Sequence, residues 1–284
     1  MPQPTIVLAH SPDSDDAFMF YGLRERAVDT EGLSFVHELA DIETLNRRAL
    51  AGELAVTAVS FHAYAFLHER YVLLPHGASF GDGYGPCIVA SRAPGAPRVL
   101  ADLAGRRVAI PGVMTSAALA LLLYAPSART VVVPFDRIGE AVARGEADAG
   151  VVIHEGQLTW KEEGFHLVAD LGAAWKAETG LPLPLGGNAV LRSLGEETIG
   201  KVSRALGKSI AYALDHREAA LTDAMQFARG LPREKADRFV GMYVNDWTRS
   251  YGARGREAVR LFLARGFDAG LLPVRVTPEW VPEA

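Results

Sequence analysis

The segment ADAGVVIHEGQLTW, residues 147–160, carries an apolar run that ends on a histidine. Ala149, Val151, Val152 and Ile153 suit a strand covered on both faces. His154 is therefore expected at a strand end, with Glu155 and Gly156 directly behind it. An imidazole with an ordinary pKa of about 6.5 can take and return a proton at neutral pH, which makes His154 a candidate general base. Other polar groups close apolar runs in the same way. They are His10 and Ser11 after TIVLAH, Ser60 after LAVTAVS, and Thr115 with Ser116 after VAIPG. In PGVMTSAA (111–118) a Pro-Gly turn, two hydroxyls and a helix start coincide. Free N–H groups there, with Thr115 and Ser116, would hold a carboxylate or phosphate. Ser60, just before FHAYAF, is a second hydroxyl of that type.

Each of these residues also has a plainer reading. A hydroxyl at a helix start is an N-cap without any ligand, and a histidine at a strand end can be a hydrogen-bonded structural residue. SPDSDD (11–16) offers Asp13, Asp15 and Asp16, which could bind a metal, but an acidic helix start accounts for them without one. GDGYG (81–85) lacks the Lys-Ser/Thr and the helix of a phosphate loop. Cys87, in PCIVA, reads as a small apolar strand residue.

The elements that must position these groups alternate. Strands are expected over 5–10, 33–40, 54–60 and 71–80, with helices over 13–25, 41–53 and 61–71 between them. This is the pattern of a parallel α/β layer. A strand at 87–92 is followed by APGAP (93–97), which breaks the pattern. A second round then runs through a helical turn and strand (100–112), an apolar helix (114–126), a strand (128–135), a helix (136–148), the strand 149–156, and a short strand and helix (166–180). LPLPLGG (181–187) reads as a second linker and 188–193 as a return strand. From 196 onward the chain is helical. The reading is thus an α/β protein of two lobes, 1–92 with 188–284 and 93–187, joined by a two-stranded hinge at 87–92 and 188–193. A ligand site is expected where strand C-termini face such a hinge.

The chain has 284 residues, 49% hydrophobic and 22% charged, with net charge −5. These are the proportions of a globular chain with room for two domains. No Lys/Arg-rich run favours nucleic acid or an anionic membrane. The single cysteine cannot form an intrachain disulfide, and no Cys/His spacing suggests zinc. MPQPTIVLAHSPDSDD lacks the basic start and the apolar stretch of a secretory signal, and no apolar run is long enough to span a bilayer. A cytoplasmic protein acting on a small molecule is the expectation, with no membrane partner.

Six stretches together resemble a known family. They are HSPDSDDAFMFYGL (10–23), DIETLNRRALAGEL (41–54), AVSFHAYAFL (58–67), GYGPCIVA (83–90), AGVVIHEGQLTW (149–160) and TGLPLPLGGNAVLRS (179–193). In order and spacing they are similar to the 1,4-dihydroxy-6-naphthoate synthases of the futalosine route to menaquinone, from residue 5 to about 250. The resemblance implies the two-lobed fold of periplasmic binding proteins (type II-like). It implies a lyase that cleaves cyclic dehypoxanthinyl futalosine to 1,4-dihydroxy-6-naphthoate with loss of a three-carbon fragment. No redox cofactor or metal is implied. The family's general-base histidine falls on His154, and its substrate-binding hydroxyls fall on Ser60 and on Thr115, with Ser116 adjacent. Ser11 and His10 lie in the first matched stretch, and some relatives carry Pro-Asn-Asp where this chain has Asp13, Ser14 and Asp15. Two other functions share such a fold: a small-anion binding protein of a transport system, and the sister enzyme that dehydrates chorismate on the same route. The sister enzyme's N-terminal motif resembles SYLN, where this chain has HSPD.

Overall fold

The computed structural model describes residues 5–283, which divide into two compact units. The first runs to Ser79 and resumes over Gly186–Arg256 and from Val276. The second is Phe80–Leu185 with Glu257–Arg275.

In the first unit the chain alternates strand and helix: β1 (Thr5–His10), α1 (Ser14–Met19), α2 (Tyr21–Arg24), β2 (Ser34–Leu39), α3 (Ile42–Ala51), β3 (Val56–Ser60), α4 (Phe61–Leu67) and β4 (Tyr71–Leu73). Strand β1 lies between β2 and β3 and is parallel to both, with Leu8 opposite Val56 and Ala9 opposite Thr57. Helix α3 begins and ends as its residues dictate. The Asp41 side chain accepts from the Thr44 N–H at 3.0 Å, and Gly52 closes the helix at φ 75°, a left-handed value that glycine adopts without a Cβ clash. The one helix expected over 13–25 is two, broken at Phe20. The strand expected over 71–80 stops at Leu73, and the three-residue β5 (Ser79–Gly81) follows.

The second unit contains β6 (Cys87–Ala90), β7 (Arg107–Ile110), α5 (Ser116–Tyr124), β8 (Arg129–Val132), α6 (Ile138–Ala143), β9 (Ala149–Val152), α7 (Gly156–Thr159), β10 (His166–Asp170) and α8 (Leu171–Thr179). Its sheet runs β10-β6-β9-β7-β8. Strand β7 is parallel to β8 and β9, and β6 is antiparallel to β9 and β10. Gly150 lets α6 lie close on this sheet, because a Cβ there would sit 2.4 Å from Ile138 Cγ2. Strand 87–92, read from sequence as half of a hinge, is an interior strand of this sheet, with Ile88 and Val89 fully buried. Burial also pushes the Cys87 thiol up to about 12, so the cysteine is an inert packing group.

Strand β11 (Leu183–Leu191) then pairs antiparallel with β3 and β4. Its glycines look like a linker in sequence but have a packing reason: a Cβ on Gly187 would lie 2.3 Å from Tyr251 Oη and 3.2 Å from Phe61 Cζ. The helices α9 (Glu196–Asp215), α10 (Arg217–Ala224), α11 (Arg233–Tyr243), α12 (Asp246–Arg249) and α13 (Gly252–Asp268) complete the chain. Helix α9 buries Val202, Leu206, Ile210 and Ala213 in one core with Leu8, Phe18, Phe20 and Val56. Truncating a fully buried leucine of this stripe, such as Leu206, to alanine costs about 2–5 kcal/mol.

The sequence reading placed all of 188–284 in the first lobe and opened the second at 93. The observed grouping starts the second unit at Phe80 and adds Glu257–Arg275 to it. The reason lies in α13. Phe262 meets the Trp175 ring edge-on at 5.5 Å, Arg265 stacks over the same indole at 5.0 Å, and Gly266 fits against Leu119 and Leu272. Among the described residues no helix is long and apolar enough to cross a membrane.

Candidate active site

The parallel register of β1 and β3 brings His10 and Ser60 to the same, C-terminal edge of the first sheet. Ser60 ends β3 and stands at the N-cap of α4, yet its side chain does not cap that helix. It is held by Asn46 of α3 instead. The Ser60 N–H donates to Asn46 Oδ1 at 3.0 Å, and Asn46 Nδ2 donates to Ser60 Oγ at 3.1 Å. Asn46 is fully buried.

His10 is engaged through both ring nitrogens. Nδ1 lies 2.9 Å from the Ser11 carbonyl, and Nε2 lies 3.0 Å from Nδ1 of His37 on β2. A carbonyl can only accept, so His10 carries its proton on Nδ1 and receives the His37 proton at Nε2. Burial and the nearby His37 hold the His10 pKa down at about 3. Burial and Arg24 hold His37 at about 4. Both rings are therefore neutral at physiological pH. Asp16 Oδ2 accepts from the Ser11 N–H at 2.7 Å, so the backbone of Ser11 is clasped on both sides by side chains. Asp13 stands at the N-cap position of α1 but makes no side-chain cap hydrogen bond and instead pairs with Arg229. These partners account for Asp13 and Asp16 without a metal. Among the described residues no group of three or more His, Cys, Asp or Glu is placed to hold an ion.

In the second unit Thr115 and Ser116 open α5. Thr115 Oγ1 donates to the Gly112 carbonyl at 2.9 Å and accepts from the Ala118 N–H at 3.2 Å. Of the two readings open in the sequence, this is the N-cap: Thr115 shapes the helix start, and Ser116 is the first residue of the turn behind it. The two hydroxyls that look equivalent in sequence, Ser60 and Thr115, thus differ. Thr115 caps its own helix, and Ser60 is held away from doing so.

The strand expected to reach residue 156 ends at Val152, and His154 lies in the turn that follows. Its backbone has φ 50°, one of four non-glycine positions with positive φ among the described residues. Histidine tolerates this region better than most residues, but it remains a strained conformation costing on the order of 1–2 kcal/mol. The turn is fixed by the Gln157 N–H donating to the His154 carbonyl at 3.1 Å and by the Phe135 ring, which meets the imidazole edge-on at 5.1 Å. Gly156 packs closely behind it, where a Cβ would come 3.2 Å from Val152 Cβ. Glu155 belongs to the same turn, so the alternation of a strand does not set its direction.

Sequence reasoning missed Asn46, His37 and Phe135. Asn46 had a signal: a weak helix former beside Leu45 and Ala49 on the buried face of α3. The other two come together only through strand register and loop packing.

Paired α/β units of this kind are shared with solved substrate-binding proteins. The alkanesulfonate-binding protein of Xanthomonas axonopodis, bound to MOPS, matches with a TM-score of 0.73 at 14% identity, covering 97% of this chain and 96% of that one. The fold is that of the periplasmic binding proteins. The chain belongs to the menaquinone biosynthesis family, whose model matches residues 6–268. It is 41% identical over 274 residues to a 1,4-dihydroxy-6-naphthoate synthase of Thermus thermophilus, covering 96% of this chain and 98% of that one. It is 36% identical over 279 residues to the enzyme of the same name from Streptomyces coelicolor, covering 96% of each. A solved structure from Archaeoglobus fulgidus matches with a TM-score of 0.87 at 44% identity, covering 94% of this chain and 98% of that one.

Proposed function

We propose that this chain is a 1,4-dihydroxy-6-naphthoate synthase, a carbon–carbon lyase that converts cyclic dehypoxanthinyl futalosine to the naphthoate and a three-carbon fragment. The observation that carries the proposal is the end-to-end similarity to two enzymes of that name. His154, held in a strained turn, is the general base. Removing a substrate proton starts a retro-aldol-like cleavage, in which the bonding electrons of the broken carbon–carbon bond pass toward the nascent ring. Aromatisation of that ring drives the step. Ser60 donates its hydroxyl hydrogen to a substrate oxygen, and the first turn of α5 at Ser116 receives the carboxylate, with Thr115 keeping that turn in shape. His10 and Asp16 act at one remove by fixing the Ser11 backbone.

A transport-type binding protein shares the fold, but the solved examples resemble this chain at the level of fold alone. Incubation with cyclic dehypoxanthinyl futalosine and mass detection of the naphthoate tests the proposal. Release of naphthoate supports it, whereas binding without turnover favours the transport reading. A parallel incubation with chorismate excludes the sister activity if chorismate stays intact.

A further inference from the structure

We infer that Asn46 is a positioning residue that sets the direction of the Ser60 hydroxyl. The inference rests on the functional reading above, in which Ser60 donates to the substrate.

The geometry leaves little choice. A backbone N–H can only donate, so the atom of Asn46 facing the Ser60 N–H at 3.0 Å must be the amide oxygen. That fixes the amide plane and sends Nδ2 toward Ser60 Oγ at 3.1 Å. An NH₂ group can only donate, so one lone pair of Oγ is consumed and the hydroxyl hydrogen must point elsewhere. It cannot return to the helix, because N–H groups accept nothing, and Oγ does not cap α4. Among the described residues no group of the chain is bonded to that hydrogen. Asn46 therefore turns an ordinary helix-capping serine into a hydroxyl whose hydrogen is kept off the Asn46 amide and is open to a ligand oxygen. Thr115, whose hydrogen goes to Gly112 and whose lone pair caps α5, shows by contrast what the committed state of such a hydroxyl is.

Asn46→Asp tests this with minimal change of shape. The retained oxygen still accepts from the Ser60 N–H, but the donor becomes an oxygen. Once ionised, the introduced carboxyl accepts the Ser60 hydrogen and withdraws it from the substrate. Burial raises the pKa of such a carboxyl, so at low pH it is protonated and donates to Oγ as Nδ2 does. The titratable groups on the elements packed against α3 are His10 on β1, His37 and Glu38 on β2, and His62 and Tyr64 on α4; β3 has none. On α3 itself Glu43 pairs with Arg47. A wild-type profile measured alongside removes their contribution.

At pH 9 the KM of Asn46→Asp for cyclic dehypoxanthinyl futalosine should rise about tenfold over wild type, with kcat within about twofold, in keeping with loss of a hydrogen bond to a polar or charged ligand group. The gap should narrow toward pH 6. In a Ser60→Ala background the same substitution should change KM by less than about twofold, since there is no hydroxyl left to direct. If Asn46→Asp does not fold, Asn46→Ser, too short to reach Oγ, is read in the same cycle. An unchanged KM at pH 9, or an equal loss with and without the Ser60 hydroxyl, overturns the inference while leaving the functional reading intact. Wild-type protein that yields no naphthoate overturns the functional reading, and the inference with it.

Discussion

Acidification should destabilise the first unit, and replacing one buried histidine should remove a defined share of that loss. His10 is 1% exposed and its pKa lies at about 3 in the folded protein, against about 6.5 in an unfolded chain. Above that unfolded value both states hold the ring neutral, and His10 contributes no pH dependence. As pH falls through 6.5 the unfolded state takes up a proton that the folded state refuses, so stability is lost, and the loss continues down to the folded pKa. At pH 5 the gap of about 1.5 pH units below the unfolded value, at about 1.4 kcal/mol per unit, is worth ~2 kcal/mol. The result is insensitive to the folded value as long as that lies well below 5. His37 titrates in the same direction, but its pKa is set by its own burial and by Arg24, so it is retained when His10 is replaced. His10→Asn keeps a donor near the Nδ1 position for the Ser11 carbonyl and cannot titrate. Urea unfolding of wild type and His10→Asn at pH 7.5 and pH 5.0 gives the double difference. Wild type should lose about 2 kcal/mol more than the variant over that interval. Equal losses would refute the argument, because they would mean that His10 is as easily protonated folded as unfolded.

Three further outcomes follow from the same geometry. His154→Asn, which tolerates the left-handed backbone, should keep its melting temperature within a few degrees while naphthoate formation falls about 10²–10⁴-fold; a variant with more than a third of wild-type activity places the base elsewhere. Gly187→Ala should destabilise by about 1–3 kcal/mol in urea titration, because the added methyl collides with Tyr251 and Phe61. Thr115→Ala should cost about 1 kcal/mol by loss of the cap while Thr115→Ser costs much less, and equal losses for the two would show that the hydroxyl is not the capping group.

The elements that sequence revealed best were those whose local chemistry and packing agree. Helix α3 carries both its capping aspartate and its terminal glycine, and β1, β2 and β3 have the hydrophobic runs of parallel strands. The reading failed where packing reverses a local signal. Pro182, Pro184, Gly186 and Gly187 look like a linker, but Gly186 and Gly187 pair with β3 and the small side-chain size admits Tyr251. Likewise α13 gives no local sign that Phe262 and Arg265 belong with Trp175. Of the candidate site, the residue types and their places at strand ends were legible. Their hydrogen-bond states were not: that Thr115 is a cap, that Ser60 is not, and that His10 faces His37 depend on partners 14 to 27 residues away or on the local turn. The strain at His154 was also hidden, because nothing in VVIHEG marks where the strand stops.

The central claim is that this chain breaks a carbon–carbon bond of cyclic dehypoxanthinyl futalosine with His154 as base. The most direct test is a single-turnover incubation of wild type and His154→Asn, each in excess over substrate, with naphthoate and remaining substrate followed by mass spectrometry. The account predicts stoichiometric naphthoate from wild type, and from the variant substrate that stays bound and intact over the same interval. Naphthoate forming at comparable rates in both proteins, or in neither, would contradict it.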